Sequence, residues 1–221
     1  MVTRRPDRET PRPPSPDVGE LVPAPGPPAA TRSHDGLEYR DVDLSGVDAR
    51  DARFLGCAFT GCRCDDLDLA GARLVDCTLD ATTATTAAWR STTWQDVTVD
   101  GFRFGALALP AADLTRVRFS AGRVDFANLR DTTFTDVVFA GCDLRELDAA
   151  GARWTRVRFE DCRIGHLDVH AATLTAVDLS AAELEGVAGV GGLRGARISD
   201  VQLLQLAPAF AEHLGVRTPG R

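Results

Sequence analysis

The sequence predicts an all-β solenoid, a four-sided coil over residues 37–198, with a short α-helical cap behind it and a proline-rich tail in front. Three observations predict it. Every fifth residue from Tyr39 to Leu184 is apolar, thirty positions without a slip. Two residues before each of these sits a second selected class, mostly small: Ala52, Cys57, Cys62, Ala72 and Cys77 early on, Cys142, Ala152 and Cys162 later. The same choices then recur at twenty. Positions 57, 77, 97, 117, 137, 157 and 177 read Cys, Cys and then Val throughout, and 119, 139 and 159 are all Phe.

A period of five fits neither the 3.6 of a helix nor the plain alternation of a long strand. Within each five, two inward residues flank one outward residue, as on a short strand. The other two must turn a corner, and Gly46, Gly56, Gly61, Gly71, Gly101, Gly141, Gly151 and Gly186 fall at the second of them. Four such sides close a coil of twenty residues, so the repeat makes about seven and a half coils. Phe102 tests the model, because it stands in a column of small residues. Its neighbours one coil away are Thr82 and Gly122, and Ala84 is small beside Thr82. Close packing then requires the ring to fill the space they leave.

Residues 1–36 hold nine of the twelve prolines, with five arginines against five acids. Such a segment buries too little apolar surface to offset its ordering entropy, which predicts a disordered or polyproline-like tail. At the other end the five-residue register slips through Gly186–Gly192 and resumes briefly at Leu193 and Ile198. Ser199-Asp200-Val201-Gln202 is a capping-box pattern opening a helix over 199–215, with Pro208 a candidate kink and 216–221 a short tail. Leu203, Leu206, Phe210 and Leu214 share its apolar face. A solenoid must protect its stacking edge. That face therefore serves as a cap over the last coil, as a homodimer seam, or as both.

Composition excludes several functions. The net charge is −7, which argues against direct nucleic-acid binding, while the fact that all 25 basic residues are arginine reads as codon bias. No apolar run reaches the length of a membrane span, and no apolar stretch follows Arg4 and Arg5 as in a secretory signal, so the expected compartment is the cytoplasm. The six cysteines occupy inward positions shared with Val, Ala and Thr, which reads as packing and not as metal ligation. His166, Asp168 and His170 lie near one corner, where a solvated patch is the expected reading. No nucleophile–base pair, phosphate loop or cofactor motif appears, and a filled solenoid offers no cleft. The chain is not expected to be an enzyme.

The runs CAFTG, VDLSG, CDLRE, FANLR and CRIGH resemble the A(D/N)Lxx unit of the pentapeptide-repeat family over residues 37–187. The resemblance implies a right-handed quadrilateral β-helix. At one strand spacing per coil it would be roughly 35 Å long. Some bacterial members of that family resemble B-DNA in width and charge, bind the DNA-binding saddle of type II topoisomerases, and protect DNA gyrase from quinolones. This chain is similar in length, in its Thr-rich stretch 82–93, and in a helix ending His213-Leu214-Gly215.

Function is then expected on the outer walls. Residues 37–187 carry 25 acids against 16 arginines, a net of −9. Three walls are acidic, and the wall of 52–56 is close to neutral, with Arg53, Arg73, Arg153 and Arg156 on it. Asp48, Asp68, Asp148 and Asp168 fall in one outward column, interrupted by Ala88, Ala108 and Asn128. They form the candidate interaction surface, and Phe126 is a candidate contact on a corner. DNA of the same length carries roughly twenty charges, so any mimicry is partial. The alternative is a rigid scaffold for a different protein partner.

Overall fold

The structure is a computed structural model that describes residues 9–217. From Leu37 onward the backbone climbs as a β-solenoid of about eight turns. Each strand pairs in parallel with the one twenty residues on. Thr93–Asp100 pairs with Asp113–Ser120, which pairs with Thr133–Ala140, with Leu114 opposite Phe134 and Val117 opposite Val137. Near the far end the strands lengthen, and Arg153–Asp168 and Thr173–Ala188 run unbroken around their corners.

Stacking like on like is what the twenty-residue period dictates, and it gives the interior its order. Phe119, Phe139 and Phe159 stack at centroid distances of 4.9 and 4.8 Å, within 7° of parallel. Phe134 lies on Trp154 at 5.2 Å. In the column of 52 to 172, Thr replaces Ala at two positions where its hydroxyl finds a partner inside the coil, whereas the Thr82 hydroxyl in a neighbouring column is buried without one. Thr92 Oγ1 donates to the Trp89 carbonyl and Thr132 Oγ1 to that of Leu129. An interior void bounded by Phe102, Leu107, Phe119 and Phe139 is about 10 Å³, at the lower limit for one water, and its apolar walls offer a water no hydrogen-bond partner.

The corners use positive φ, and glycine is only one way to supply it. Asp51, Ser91, Ala111 and Asp131 adopt the same φ of 55–57° at the corner where Gly71 and Gly151 sit at 71° and 70°. Aspartate tolerates this region better than most residues. At Gly71 and Gly151 a side chain would also force its neighbour to move. The carboxylates of Asp51 and Asp131, one coil below, occupy the space a Cβ would take.

The cap forms as its sequence pattern requires. Ser199 Oγ accepts from the Gln202 amide, and Gln202 Oε1 accepts from the Ser199 amide, opening a helix over Asp200–His213 that carries Pro208 within it. Gln202 does more than close the box. Its Nε2 donates to the carbonyls of Leu179 (2.9 Å) and Ala182 (2.7 Å), tying the helix to the last coil.

The amino-terminal tail expected over residues 1–36 divides. Residues 1–8 lie outside the described residues. Residues 9–36 lie against the solenoid, and Val22–Pro23 and Ser33–Asp35 pair with Leu37–Glu38 and Arg53–Leu55, adding a partial turn before the first full coil. Apolar burial is limited to a few contacts, among them Pro11, Pro28 and Ala24, so most of the order comes from hydrogen bonds. Residues 22–36 are held by backbone pairing, as in the Thr31 amide to the Arg50 carbonyl, and the stretch before them by the Arg12 and Ser15 amides on Asp136 and Asp96. At the other terminus, the tail expected over 216–221 is described only at Val216 and Arg217.

Candidate functional site

The corner-turning geometry explains why aspartate recurs in the outward column. Asp48, Asp68, Asp148 and Asp168 each accept, through Oδ1, the backbone N–H two residues on: Arg50 (3.1 Å), Ala70 (2.9 Å), Ala150 (3.2 Å) and His170 (2.9 Å). This is the side-chain turn that Asp and Asn make best. Asn128, which breaks the column in charge, continues it in geometry by accepting from the Arg130 amide at 3.1 Å.

The four carboxylates stand in register. Asp48 bridges to Asp68, Asn128 lies opposite Asp148, and Asp148 lies opposite Asp168. Stacked like charges repel at a strand spacing, and a second column relieves this. Arg50 Nη2 reaches Asp48 at 2.6 Å, and its Nε lies 3.6 Å from Asp68. Arg130 Nε lies 2.6 Å from Asp148, and His170 Nδ1 lies 2.7 Å from Asp168. Arg50 holds Asp48 at about 2, well below the usual carboxylate range. Burial works against the charge on Asp168, but the His170 amide and ring and nearby Arg130 outweigh it and keep the carboxyl below its ordinary value.

The column is therefore acidic but not bare. Asp48 and Asp68 side chains are 48% and 42% exposed, while Asp148 and Asp168 are 17% and 27% exposed beneath their partners. Sequence reasoning placed the aspartates on one wall and missed the cations. Their signal was present, since Arg50, Arg90 and Arg130 recur every forty residues, two positions after the column. Phe126 projects at a corner, 41% exposed, between Ala106 and Glu146 of the adjoining coils.

The helix face expected to cap or to dimerise splits in two. Leu206 is buried, and Phe210 packs against the core. Leu203 points away, 50% exposed, and with Leu204 and Ala207 makes an outer apolar stripe, while Leu214, 74% exposed, borders a recess with Val190, Leu193 and Phe210. The six cysteines are free thiols buried in the coil. Burial pushes the Cys64 thiol up to about 12, beyond useful reactivity. Among the described residues no three His, Cys, Asp or Glu side chains converge on a common point, and Asp168 is taken by His170. No helix among them is long and apolar enough to cross a membrane.

Comparisons with known proteins agree with this architecture. The family model for pentapeptide repeats matches residues 40–80 and 112–148 in eight copies. No curated protein matches the chain in sequence. A trypsin-treated variant of QnrB1, a plasmid-mediated fluoroquinolone resistance protein, superposes with a TM-score of 0.50 at 17% identity, over 90% of this chain and 96% of that one. Full-length QnrB1 superposes at only 0.29 and 13% identity, over 83% of this chain and all of the other. The five-residue repeat, the four-walled coil it builds and the eight matched copies show that this chain carries pentapeptide repeats over residues 40–80 and 112–148, wound into one β-solenoid.

Proposed function

We propose that this chain acts by binding a protein and not by catalysis, and that its partner is a type II topoisomerase of the DNA gyrase class. The observation that carries this reading is the acidic column of Asp48, Asp68, Asp148 and Asp168 along one wall. Asp48 and Asp68 at one end and Asp148 and Asp168 at the other present carboxylates at strand spacing along a rigid rod. Such a surface complements a positively charged DNA-binding saddle. The fold shared with QnrB1, itself described as a fluoroquinolone resistance protein, supports the same assignment.

The test separates charge from turn geometry. Asp68→Asn, Asp148→Asn and Asp168→Asn together keep the turn-making acceptor, as Asn128 already does, and remove three charges. Purified gyrase is expected to bind the native chain in a salt-sensitive manner that DNA competes away, and to bind the triple variant at least about tenfold more weakly. Native protein that neither binds gyrase nor alters supercoiling at micromolar concentration would sink the topoisomerase reading.

The pairing of each acid with Arg50, Arg130 or His170 favours a second reading, a scaffold for another protein with no topoisomerase role. Gyrase affinity unchanged in the triple variant would support it. Either function is compatible with a homodimer through the outer stripe of the helix. Leu203→Asp with Leu204→Asp is expected to convert a dimer to a monomer in sedimentation while leaving the buried Leu206 contact in place. A native chain that is already monomeric removes the dimer from the proposal.

A further inference from the structure

Residues 9–18 cross the solenoid lengthwise along one corner, and their contacts fall at regular intervals. Glu9 shares a recess with Ala176, Asp178, Gly195 and Arg197. The Arg12 amide donates to Asp136 Oδ1 at 3.1 Å, and the Ser15 amide reaches Asp96 Oδ1 at 3.4 Å. The Asp17 carbonyl lies 3.2 Å from where a Cβ on Gly56 would stand. The solenoid residues 176, 136, 96 and 56 are forty apart, one from every second coil. The contacting segment residues advance by three, then three, then two.

Those two rhythms match for a physical reason. A polyproline II helix has three residues per turn and rises about 3.1 Å each, so one turn advances about 9.3 Å. Two coils at the inter-strand spacing advance about 9.6 Å. A polyproline strand can therefore present one backbone N–H per turn to one carboxylate per two coils, with little accumulated slip. The segment Pro11-Arg12-Pro13-Pro14-Ser15-Pro16 suits this, because its prolines set φ and leave donors only at Arg12 and Ser15. Pro11 is buried, and Pro14 and Pro16 are half-buried.

The receiving side is also built. Arg116, from the coil between, grips Asp96 with Nε at 2.7 Å and Nη2 at 2.5 Å. Arg156 grips Asp136 at 2.5 and 2.9 Å. The acceptor carboxylates are thus held in place by arginines of the alternate coils, and Asp136 is 3% exposed.

We propose that this corner is a docking track for an extended proline-rich peptide of the pattern P-x-P-P-x-P, that residues 9–18 are its resident ligand, and that a partner segment of the same chemistry competes for it. The track lies on a different corner from the acidic column and does not depend on the topoisomerase reading. A tethered segment has an effective concentration near the millimolar range, so a free peptide of micromolar affinity is excluded while the arm is seated.

The test uses the full chain and a fluorescent synthetic peptide of residues 9–20. Pro11→Asp with Pro14→Asp places carboxylates beside Asp136 and Asp96 and is expected to release the arm, read as faster hydrogen exchange at the Arg12 and Ser15 amides. The released variant is expected to bind the peptide at least about tenfold more tightly than the native chain. A peptide methylated on the two backbone nitrogens equivalent to Arg12 and Ser15 lacks the donors and is expected to lose that binding, with no risk to protein folding. The proposal is overturned if the arm stays protected in the variant, if the released variant binds no better than the native chain, or if the methylated peptide binds equally well.

Discussion

Phe102→Ala is expected to destabilise the solenoid by about 3–5 kcal/mol, among the largest losses available to a single side chain here. Phe102 is 1% exposed in a column otherwise held by small residues. Its ring lies 5.5 Å from Phe104 and 5.8 Å, nearly edge-on, from Phe119. A Cβ on Gly122, one coil above, would fall on the ring itself. The ring thus fills space that its neighbours vacate. The coils above and below are tied through the ladder, since the Arg103 amide donates to the Thr82 carbonyl and the Arg123 amide to that of Phe102. They cannot collapse into the hole.

The converse change tests the same fit. Gly122→Ala overpacks the site and is expected to cost about 1–3 kcal/mol. Combined with Phe102→Ala, it should cost less than the sum, because the added methyl enters the cavity that the first change opens. Urea denaturation followed by circular dichroism reads all three. Strict additivity, or a loss under about 1 kcal/mol for Phe102→Ala, would show that the column relaxes freely, contrary to the rigid stacking argued here.

Gln202→Leu is expected to detach the cap at a cost of about 2–4 kcal/mol. The side chain is 3% exposed and is the partner of two carbonyls at the last coil, those of Leu179 and Ala182. A leucine of similar size keeps the packing but leaves both carbonyls without that donor, at about 1–3 kcal/mol for each one that stays buried. It also removes half of the capping box. Ser199→Ala removes the other half and is expected to cost only about 1 kcal/mol, because it orphans a single amide. In thermal melts of the Gln202 variant, helical signal should disappear before strand signal. A single coincident transition at the native temperature would mean that Leu206 and Phe210 hold the helix without Gln202.

The solenoid was legible because its physics is repetitive. Each inward residue meets its own equivalent twenty residues away, so the column choices at 57 to 177 or 119 to 159 state the packing directly. Even the exception at Phe102 is explained by Thr82 and Gly122, read from the same columns. The acidic column was legible as a position, but its pairing with Arg50, Arg130 and His170 appears only in the wound coil. Its aspartates are also turn-makers, and the equivalence of Asn128 to them appears only once the Arg130 amide is seen on its side chain.

What the sequence by itself determined is the coil, its inward columns and the capping box, all of which follow from local period and nearest-neighbour stacking. The tertiary structure alone decided which face of the helix is spent on the last coil, because Leu206 and Leu203 differ only in the direction they face. It also decided the fate of residues 9–18. That segment has too little apolar surface to order itself. Its donors at Arg12 and Ser15 meet acceptors at Asp136 and Asp96, which are distant in the chain and come into line only when the solenoid winds at a pitch that a polyproline helix can follow.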